Sequence, residues 1–415
     1  MNSYAAFLGH QPHISTAELA AVAENFSLTK TIFKNIILFE SSEDLTPEKL
    51  SNLGGTPYIA KRITEESLSL EDVPQLLGNE LSAVKGKATF SFRTFGLRKP
   101  ELHSLYRNAK TYLKKKGRPS RYVGSENKLT PAVLLHDAGI VDGSHGCELT
   151  IIRDGDALWI GRTICAQDVD AYTKRDMDKP VRDTTVGLLP PKLAQMLLNF
   201  GEWMAKSTGN PKLAPVTGKK KNPPLLVFDP FCGTGVIPME ALLRGSTVLA
   251  SDLSLKAVNG CEKNLDWLRK EEKILKKDVP STVWKQDAQK PFELKEKPDI
   301  VVTETTLGPP LTKAAPLREA EKMKNEVERI EAGFFENAAK TLPGVPVVCI
   351  FPVWFHSKGE VRLEKIWTLL GKLGYQATLP PGIKPDTPGR LSLTYRRPDQ
   401  FVGREIVILK HRVKK

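Results

Sequence analysis

Residues 225–245 read LLVFDPFCGTGVIPMEALLRG. An unbroken apolar run stops at an acid, Asp229, and gives way to a turn carrying Gly233, Thr234 and Gly235, after which a helix is expected from near Ile237. A continuous apolar strand suits a sheet covered on both faces. Glycines just before a helix let a ligand approach the backbone at the helix amino terminus, where carboxylate or phosphate is favoured. The stretch therefore predicts a strand, turn and helix of an open α/β sheet with a ligand at the strand's carboxyl end.

The following residues extend that pattern. TVLASD ends in Asp252, 17 residues beyond Gly235, TVWKQD ends in Asp287, and DIVVTE, VPVVCIFP, RLSLTYRR and EIVILKH follow with helices among them. Such alternation predicts a mostly parallel, doubly covered sheet with an antiparallel edge. Each acid alone also reads as a helix cap or a turn residue. Jointly, at the ends of three successive strands, they line one pocket: Asp252 for two ribose hydroxyls, Asp287 for an adenine amino group, Asp229 for the ammonium of an amino-acid moiety. A nicotinamide dinucleotide lacks that ammonium, and the glycine spacing is not G-x-G-x-x-G.

A chain of 415 residues suggests two or three domains. Before the glycine turn, YAAFLG, TIFKNIILFE, the stretch ending IAKRI and ATFSFRTFG read as strands. A helix capped by Ser15 or Thr16 is expected through Phe26, and others at about 70–84, 100–116 and in KLTPAVLLHDAGI. ELTIIRDGD and ALWIGRTIC read as a β-hairpin. Residues 1–168 thus predict two small α/β units in series, followed by a charged linker at 169–189 and a helix at PPKLAQMLLNFGEWMA. The loop at 207–224 is rich in Gly, Pro and Lys.

The net charge of +13 is concentrated: between Lys85 and Lys128, 13 Lys or Arg face two acids, Glu101 and Glu126. Interleaved with Tyr106, Tyr112 and Tyr122, the cations read as a polyanion footprint, with nucleic acid the favoured partner. The five cysteines are scattered without CxxC pairing, which argues against a disulfide framework or a zinc site and for a reducing compartment. His10 and His13 lack further ligands at metal spacing, so no metal is expected. No run approaches the roughly 18 apolar residues of a membrane helix, and MNSYAAFLGHQPHIS lacks the features of a signal peptide. The expectation is a cytoplasmic protein with no membrane partner.

With these residues in view, the sequence resembles class I S-adenosylmethionine-dependent methyltransferases, and DPFCGTGVIPMEA resembles the cofactor motif of the THUMP-domain tRNA guanine-N2 methyltransferases. LGGTPYIAKRI, FSFRTFGL, KKKGRPSRYV and the pattern of 175–194 are similar to that family too. The resemblance implies a ferredoxin-like unit at 1–60, a THUMP RNA-binding domain at 61–168, and a Rossmann-like catalytic domain with a mostly parallel seven-stranded sheet at 190–415. It implies S-adenosyl-L-methionine as cofactor, with Asp229, Gly233 and Gly235 at its methionine part, Asp252 at the ribose, Asp287 at the adenine, and Phe231, Leu253 and Ala288 beside them. It implies tRNA as partner, gripped through Arg93, Arg98, Lys99, Lys114, Lys115, Lys116, Arg118 and Arg121, methylation in the guanosine 10 region, and room for a small activating protein subunit. Arg175, Asp176, Lys179, Pro180, Arg182 and Asp183 match a family segment near the cofactor, and equally read as a hydrated connector.

At residues 303–306 the chain departs from that family. Where amino-group methyltransferases carry Asp-Pro-Pro-Tyr or Asn-Pro-Pro-Tyr, this sequence has Thr303, Glu304, Thr305 and Thr306. The lone pair of guanine N2 is delocalised into the ring, so an acceptor on its hydrogens is needed, and an aromatic face to clamp the base. A threonine hydroxyl accepts a hydrogen bond without stabilising positive charge as a carboxylate does. Glu304 offers a carboxylate one residue later, although strand alternation points it the other way. Phe351 and Trp354 are candidate stacking surfaces or ordinary packing residues. Two readings stand: an RNA methyltransferase with a changed acceptor motif, or a tRNA-binding relative that keeps the cofactor pocket and has lost or altered the chemistry.

Overall fold

The computed structural model describes residues 1–64, 68–124, 129–183, 188–214, 222–356, 359–398 and 400–412. The chain forms two compact units, Met1–Pro12 with Ala23–Thr173, and His13–Val22 with Lys174–Lys415. Helix α1 (Pro12–Val22), all but its first residue, thus counts with the second unit. It begins at a proline, whose fixed φ suits the first helical turn, and ends before Asn25 at φ +50 rather than running to Phe26.

The first unit contains β1 (Asn2–Phe7), β2 (Ser27–Ile32), β3 (Ile36–Ser41), α2 (Pro47–Ser51), β4 (Tyr58–Arg62), α3 (Val73–Glu80), β5 (Ala88–Phe95), α4 (Lys99–Lys115), β6 (Ser120–Tyr122), α5 (Ala132–Asp137), β7 (Gly146–Asp154), β8 (Ala157–Ala166) and α6 (Val169–Thr173). Its eight strands make one sheet in the order β2-β3-β1-β4-β8-β7-β5-β6. The expected hairpin is β7–β8, with Leu149 opposite Arg162. TIFKNIILFE, read as one strand, is instead split between β2 and β3: Phe33 and Lys34 sit at φ +52 and +65 and reverse the chain. Neither residue is a usual choice there, which is why the turn was invisible in the sequence. Leu77, Leu105, Ala109 and Leu113 of α3 and α4 pack on Phe90, Leu149 and Ile160 of the sheet.

The second unit adds α7 (Pro191–Ser207), β9 (Leu226–Asp229), α8 (Val236–Leu243), β10 (Thr247–Asp252), α9 (Leu255–Glu271), β11 (Ser281–Lys285), β12 (Ile300–Glu304), α10 (Leu317–Thr341), β13 (Val347–His356), β14 (Gly359–Arg362), α11 (Lys365–Lys372), β15 (Tyr375–Thr378), β16 (Ser392–Tyr395) and β17 (Val402–His411). The sheet order is β11-β10-β9-β12-β13-β17-β15, with β14 on β13 and β16 on β17. The pairs from β11 through to β13 are parallel, and β17 is antiparallel to both neighbours. The antiparallel strand expected at the edge therefore lies one place inside it. This is a Rossmann-like α/β sheet, and the strand order reverses direction at β9 and β12.

Alternation along these strands divides the core into two layers. Val227, Ile300, Val302, Val348, Ile350, Ile406 and Ile408 face a cluster with α1, α7, α8 and α9. Phe228, Val301, Val347, Cys349, Phe351, Val407 and Leu409 face one with α10 and α11. Both sides of each central strand are buried, so its sequence reads as a continuous apolar run.

Within the second layer Glu331 of α10 is fully buried, and the polar group that reaches its carboxyl is the Thr305 side chain, which pulls against the effect of burial. Burial pushes its carboxyl up to about 8. The folded chain therefore holds this proton more tightly than the unfolded chain does, and the associated stability is lost as pH rises from the ordinary glutamate range through 8. Glu331→Gln, neutral at every pH, is predicted to match the wild type near pH 4.5 and to exceed it by a few kcal/mol at pH 8.5, measured by chemical denaturation at both values.

Candidate functional site

The glycine turn is built by the chain around it. Gly235, the residue before α8, has φ +89, and a Cβ there would lie 2.6 Å from the Sγ of Cys261 on α9. Gly233 has φ +50 but open space around it. Asp252, at the end of β10, holds the turn from the other side: its Oδ2 accepts from the Gly233 amide at 3.0 Å and its Oδ1 from the Ser254 amide at 2.8 Å. The thiol of Cys232 is buried and raised above its ordinary value by the neighbouring Cys261 thiol and by burial, so it is a packing group.

Asp229, at the carboxyl end of β9, is 2% exposed. It accepts from the Thr303 hydroxyl at 2.6 Å and from the Phe231 amide at 3.2 Å. Burial pushes its carboxyl up to about 7, against the pull of those hydrogen bonds and with the help of the nearby Asp252 and Glu304 charges. Around it opens a cavity of about 480 Å³, lined by Asp229, Phe231, Gly233, Thr234, Asp252 and Leu253 on the turn side, and by Glu304, Thr305, Thr306 and Leu188 among others opposite. That volume suits a small organic ligand, and the cavity lies where open α/β sheets bind ligands, outside the strand ends at the reversal of strand order. Val236 and Ile237, which open α8 and whose amides precede its first intrahelical bond, also line the cavity; Pro238, next in the turn, has no amide N–H.

Asp287 and Ala288 do not line this cavity. The Asp287 carboxylate turns back on its own loop and accepts from the Gln289 amide at 3.0 Å. The structure thus brings together Asp229, Asp252 and Glu304, and leaves the third strand-end acid outside.

In the acceptor segment Glu304, expected to point the other way, is the side chain that lines the cavity, and Thr303 turns inward. Thr303 is buried and donates to Asp229. Thr305 is also buried and donates to the Ile350 carbonyl at 2.6 Å. Glu304 lines the cavity, its Oε1 paired with the Arg404 Nε at 2.6 Å. Thr306 lines the cavity beside it. Phe351 and Trp354 are fully buried, so neither offers a stacking face to a base, and Trp354 instead supports Gly308 of the following turn.

The charged stretch 174–183 is tied to α8, α9 and the glycine turn. Arg175 Nε donates to Glu240 Oε1 of α8 at 2.7 Å, and Asn264 of α9 bonds the amide and carbonyl of Val181 as well as the Thr234 carbonyl of the glycine turn. Arg175 and Lys179 are buried, whereas Pro180 and Arg182 are exposed. Leu188 and Leu189 then form part of the cavity wall.

In the first unit the expected RNA contacts separate. Arg98, Lys99, Lys114, Lys115, Lys116 and Arg121 are exposed. Arg93 is not available to RNA: it is 1% exposed, pairs with Glu148 at 3.0 Å and lies 3.6 Å over the Tyr58 ring. Arg118 is half-buried and gives its guanidinium to the Leu81 and Val84 carbonyls. Tyr106 and Tyr122 bond to each other at 2.6 Å and belong to the core rather than to a stacking platform. Lys110, Lys114 and Arg118 line a recess of about 480 Å³ at the end of α4. Among the described residues no cluster of three or more His, Cys, Asp or Glu is placed to hold a metal, and no helix is long and apolar enough to cross a membrane.

A protein-family profile described as Conserved hypothetical protein 95 matches residues 219–326, a span that includes the glycine turn and the acceptor segment. No curated protein matches the chain. Among solved structures it is similar to TrmN from Thermus thermophilus at 15% identity, covering 99% of this chain and 100% of that one, with a TM-score of 0.46. A structure described as a possible methylase from Clostridium difficile 630 is similar at 12% identity over 100% and 98%, TM-score 0.42. Magnesium protoporphyrin IX methyltransferase from Synechocystis PCC 6803, with bound SAM, is similar at 18% over 59% and 94%, TM-score 0.31. At such identities a shared name says nothing about chemistry, which has to come from the residues themselves.

The two glycines are predicted to differ. Gly233→Ala costs about 1 kcal/mol from its positive φ alone, whereas Gly235→Ala, which also meets Cys261, costs roughly 2 kcal/mol or more. Denaturation midpoints of the two variants check this order.

Proposed function

We propose that the second unit binds S-adenosyl-L-methionine in the cavity beside the glycine turn and transfers its methyl group to RNA, with tRNA as the substrate and guanine N2 in the guanosine 10 region as the acceptor. The observation that carries the cofactor reading is the pair of carboxylates, Asp229 and Asp252, set at the ends of adjacent parallel strands on either side of Gly233. The donor and acceptor set fits the group: Asp229 for an ammonium, the first amides of α8 for a carboxylate, and Asp252 for ribose hydroxyls. Asp252 already accepts two amides, but a carboxylate has about four lone-pair sites, which leaves room for two hydroxyls. Phe231 and Leu253 supply apolar wall. When bound, this cofactor supplies a methyl carbon that leaves sulfur, which keeps the bond's electron pair, for the lone pair of an acceptor. The chain's part is to orient the two partners and to exclude water.

The RNA reading rests on the exposed lysines of α4 and the residues after it, and the resemblance of the sequence supports it. The alternative, a tRNA-binding protein with an altered catalytic centre, is favoured by the inward turn of Thr303 onto Asp229, which takes the side chain at the usual Asp or Asn position out of the cavity lining. Transfer of a tritiated methyl group into unmodified tRNA separates the two: incorporation supports the enzyme, and cofactor binding without incorporation supports the alternative.

Asp229 makes cofactor affinity depend on pH. Because its carboxyl is raised to about 7, it is mostly neutral at pH 6 and ionises above 7, and an ammonium binds the ionised form. Affinity is predicted to rise several-fold between pH 6 and 7.5, by about the factor that ionisation of one such group gives. Isothermal titration with S-adenosyl-L-methionine checks this, and Asp229→Asn flattens the dependence. For RNA, replacing Lys114, Lys115 and Lys116 together with Ala is predicted to lower the salt slope of tRNA binding by about 2 to 3, in filter-binding measurements from 50 to 300 mM salt (about the range in which phosphate contacts dominate).

A further inference from the structure

The methyltransferase reading leaves open which side chain faces the acceptor, since the position that carries Asp or Asn in the resembling family is occupied by Thr303, a buried group bonded to Asp229. One charged side chain of the acceptor segment does reach the cavity. Glu304 lines it with a side chain 14% exposed, and Arg404 from the last strand holds its Oε1 at 2.6 Å. Arg404 is itself 2% exposed and uses its other nitrogens on the Leu188 carbonyl at 3.2 Å and the Gln400 Oε1 at 3.4 Å. It therefore grips the acceptor segment and the cavity wall at once, and does not itself line the cavity.

We propose, on the basis of the methyltransferase reading, that Glu304 is the carboxylate that receives the acceptor and that Arg404 is the positioning residue that aims it, so that the site takes a nucleobase through an exocyclic amine. Three features lead there. With Oε1 fixed by a guanidinium, Oε2 accepts from none of the described residues and is left as a hydrogen-bond acceptor in the cavity. A carboxylate accepts and does not donate, so it selects an N–H edge over a carbonyl edge, and leaving it unpaired in a closed site is costly. It also closes the proton balance: as the amine nitrogen forms its new bond to carbon it carries one surplus proton, which passes to Glu304 Oε2 and from there to solvent, restoring the carboxylate.

The planar fork of Arg404 is what serves both contacts, Glu304 through Nε and Leu188 through a terminal nitrogen. A lysine has one ammonium on a flexible stem and cannot hold both in the same geometry. Arg404 acts through Glu304 and the wall, and touches neither substrate nor cofactor.

The test uses the full chain with unmodified tRNA transcript and S-adenosyl-L-methionine, comparing wild type with Glu304→Gln, Arg404→Lys and Arg404→Met. Cofactor affinity is read by isothermal titration, kcat and KM for tRNA by methyl transfer, and the product by nucleoside mass spectrometry. Expected are cofactor affinities within about threefold of wild type for Glu304→Gln, a loss of about 10² or more in its kcat, and a product methylated on an exocyclic nitrogen. Arg404→Met is expected to lose kcat with KM for tRNA little changed, and Arg404→Lys to fall between it and the wild type, a graded split that loss of folding does not produce. Glu304→Gln with wild-type kcat overturns the proposal, as does a product methylated on carbon or on a ribose hydroxyl. Wild type that binds cofactor and tRNA without transfer overturns it too, while leaving the cofactor site standing. Wild type that binds no cofactor overturns the methyltransferase reading itself. If the Arg404 variants do not fold, Glu304→Gln decides alone.

Discussion

The carboxylate of Asp252 fastens the end of β10 to the turn that follows β9, and the rest of the second unit's site is arranged around that fastening. One oxygen takes the Gly233 amide and the other the Ser254 amide, so the glycine turn and the start of α9 are fixed relative to one another before any ligand arrives. Gly235 completes the arrangement from below, where only the absence of a Cβ lets the turn rest on Cys261. A turn held this firmly presents its amides and the Asp229 carboxylate at set positions, which lowers the ordering cost of binding.

The same economy of side chains shapes the acceptor segment. Thr303 and Thr305 are not replacements for a catalytic acid and a clamp; they are anchors, one to Asp229 and one to the β13 backbone. Thr303 in particular joins the acceptor segment to the group assigned to the cofactor's ammonium, so the two halves of the cavity are coupled through one hydrogen bond of 2.6 Å. The connector adds a further tie, because Asn264 holds both Val181 and Thr234.

Much of this was legible in the sequence. The glycine turn, the acids at strand ends and the buried parallel strands follow from residue types whose meaning is local: an apolar run, a glycine, an acid at its end. The sheet order and the antiparallel placement of β17 were only partly legible, since they depend on which strands meet across the fold. Asp287 shows the limit of the same reasoning. It sits where the pattern puts it, at the end of β11, yet its carboxylate bonds its own loop, a choice made by a turn of two residues that strand spacing does not record. Arg93 fails for another reason: a cation in a basic stretch reads as surface until Glu148, more than fifty residues away in sequence, is brought beside it. Arg404 was missed because nothing near it in the chain marks it as a partner of Glu304, a hundred residues earlier.

The central claim is that Asp229, Gly233 and Asp252 surround one sulfonium nucleoside. A crystal structure of the chain grown with S-adenosyl-L-methionine tests it most directly. The account predicts the ligand in the cavity, its ammonium on Asp229 and its ribose hydroxyls on Asp252; density for the ligand elsewhere, or none at saturating concentration, contradicts it.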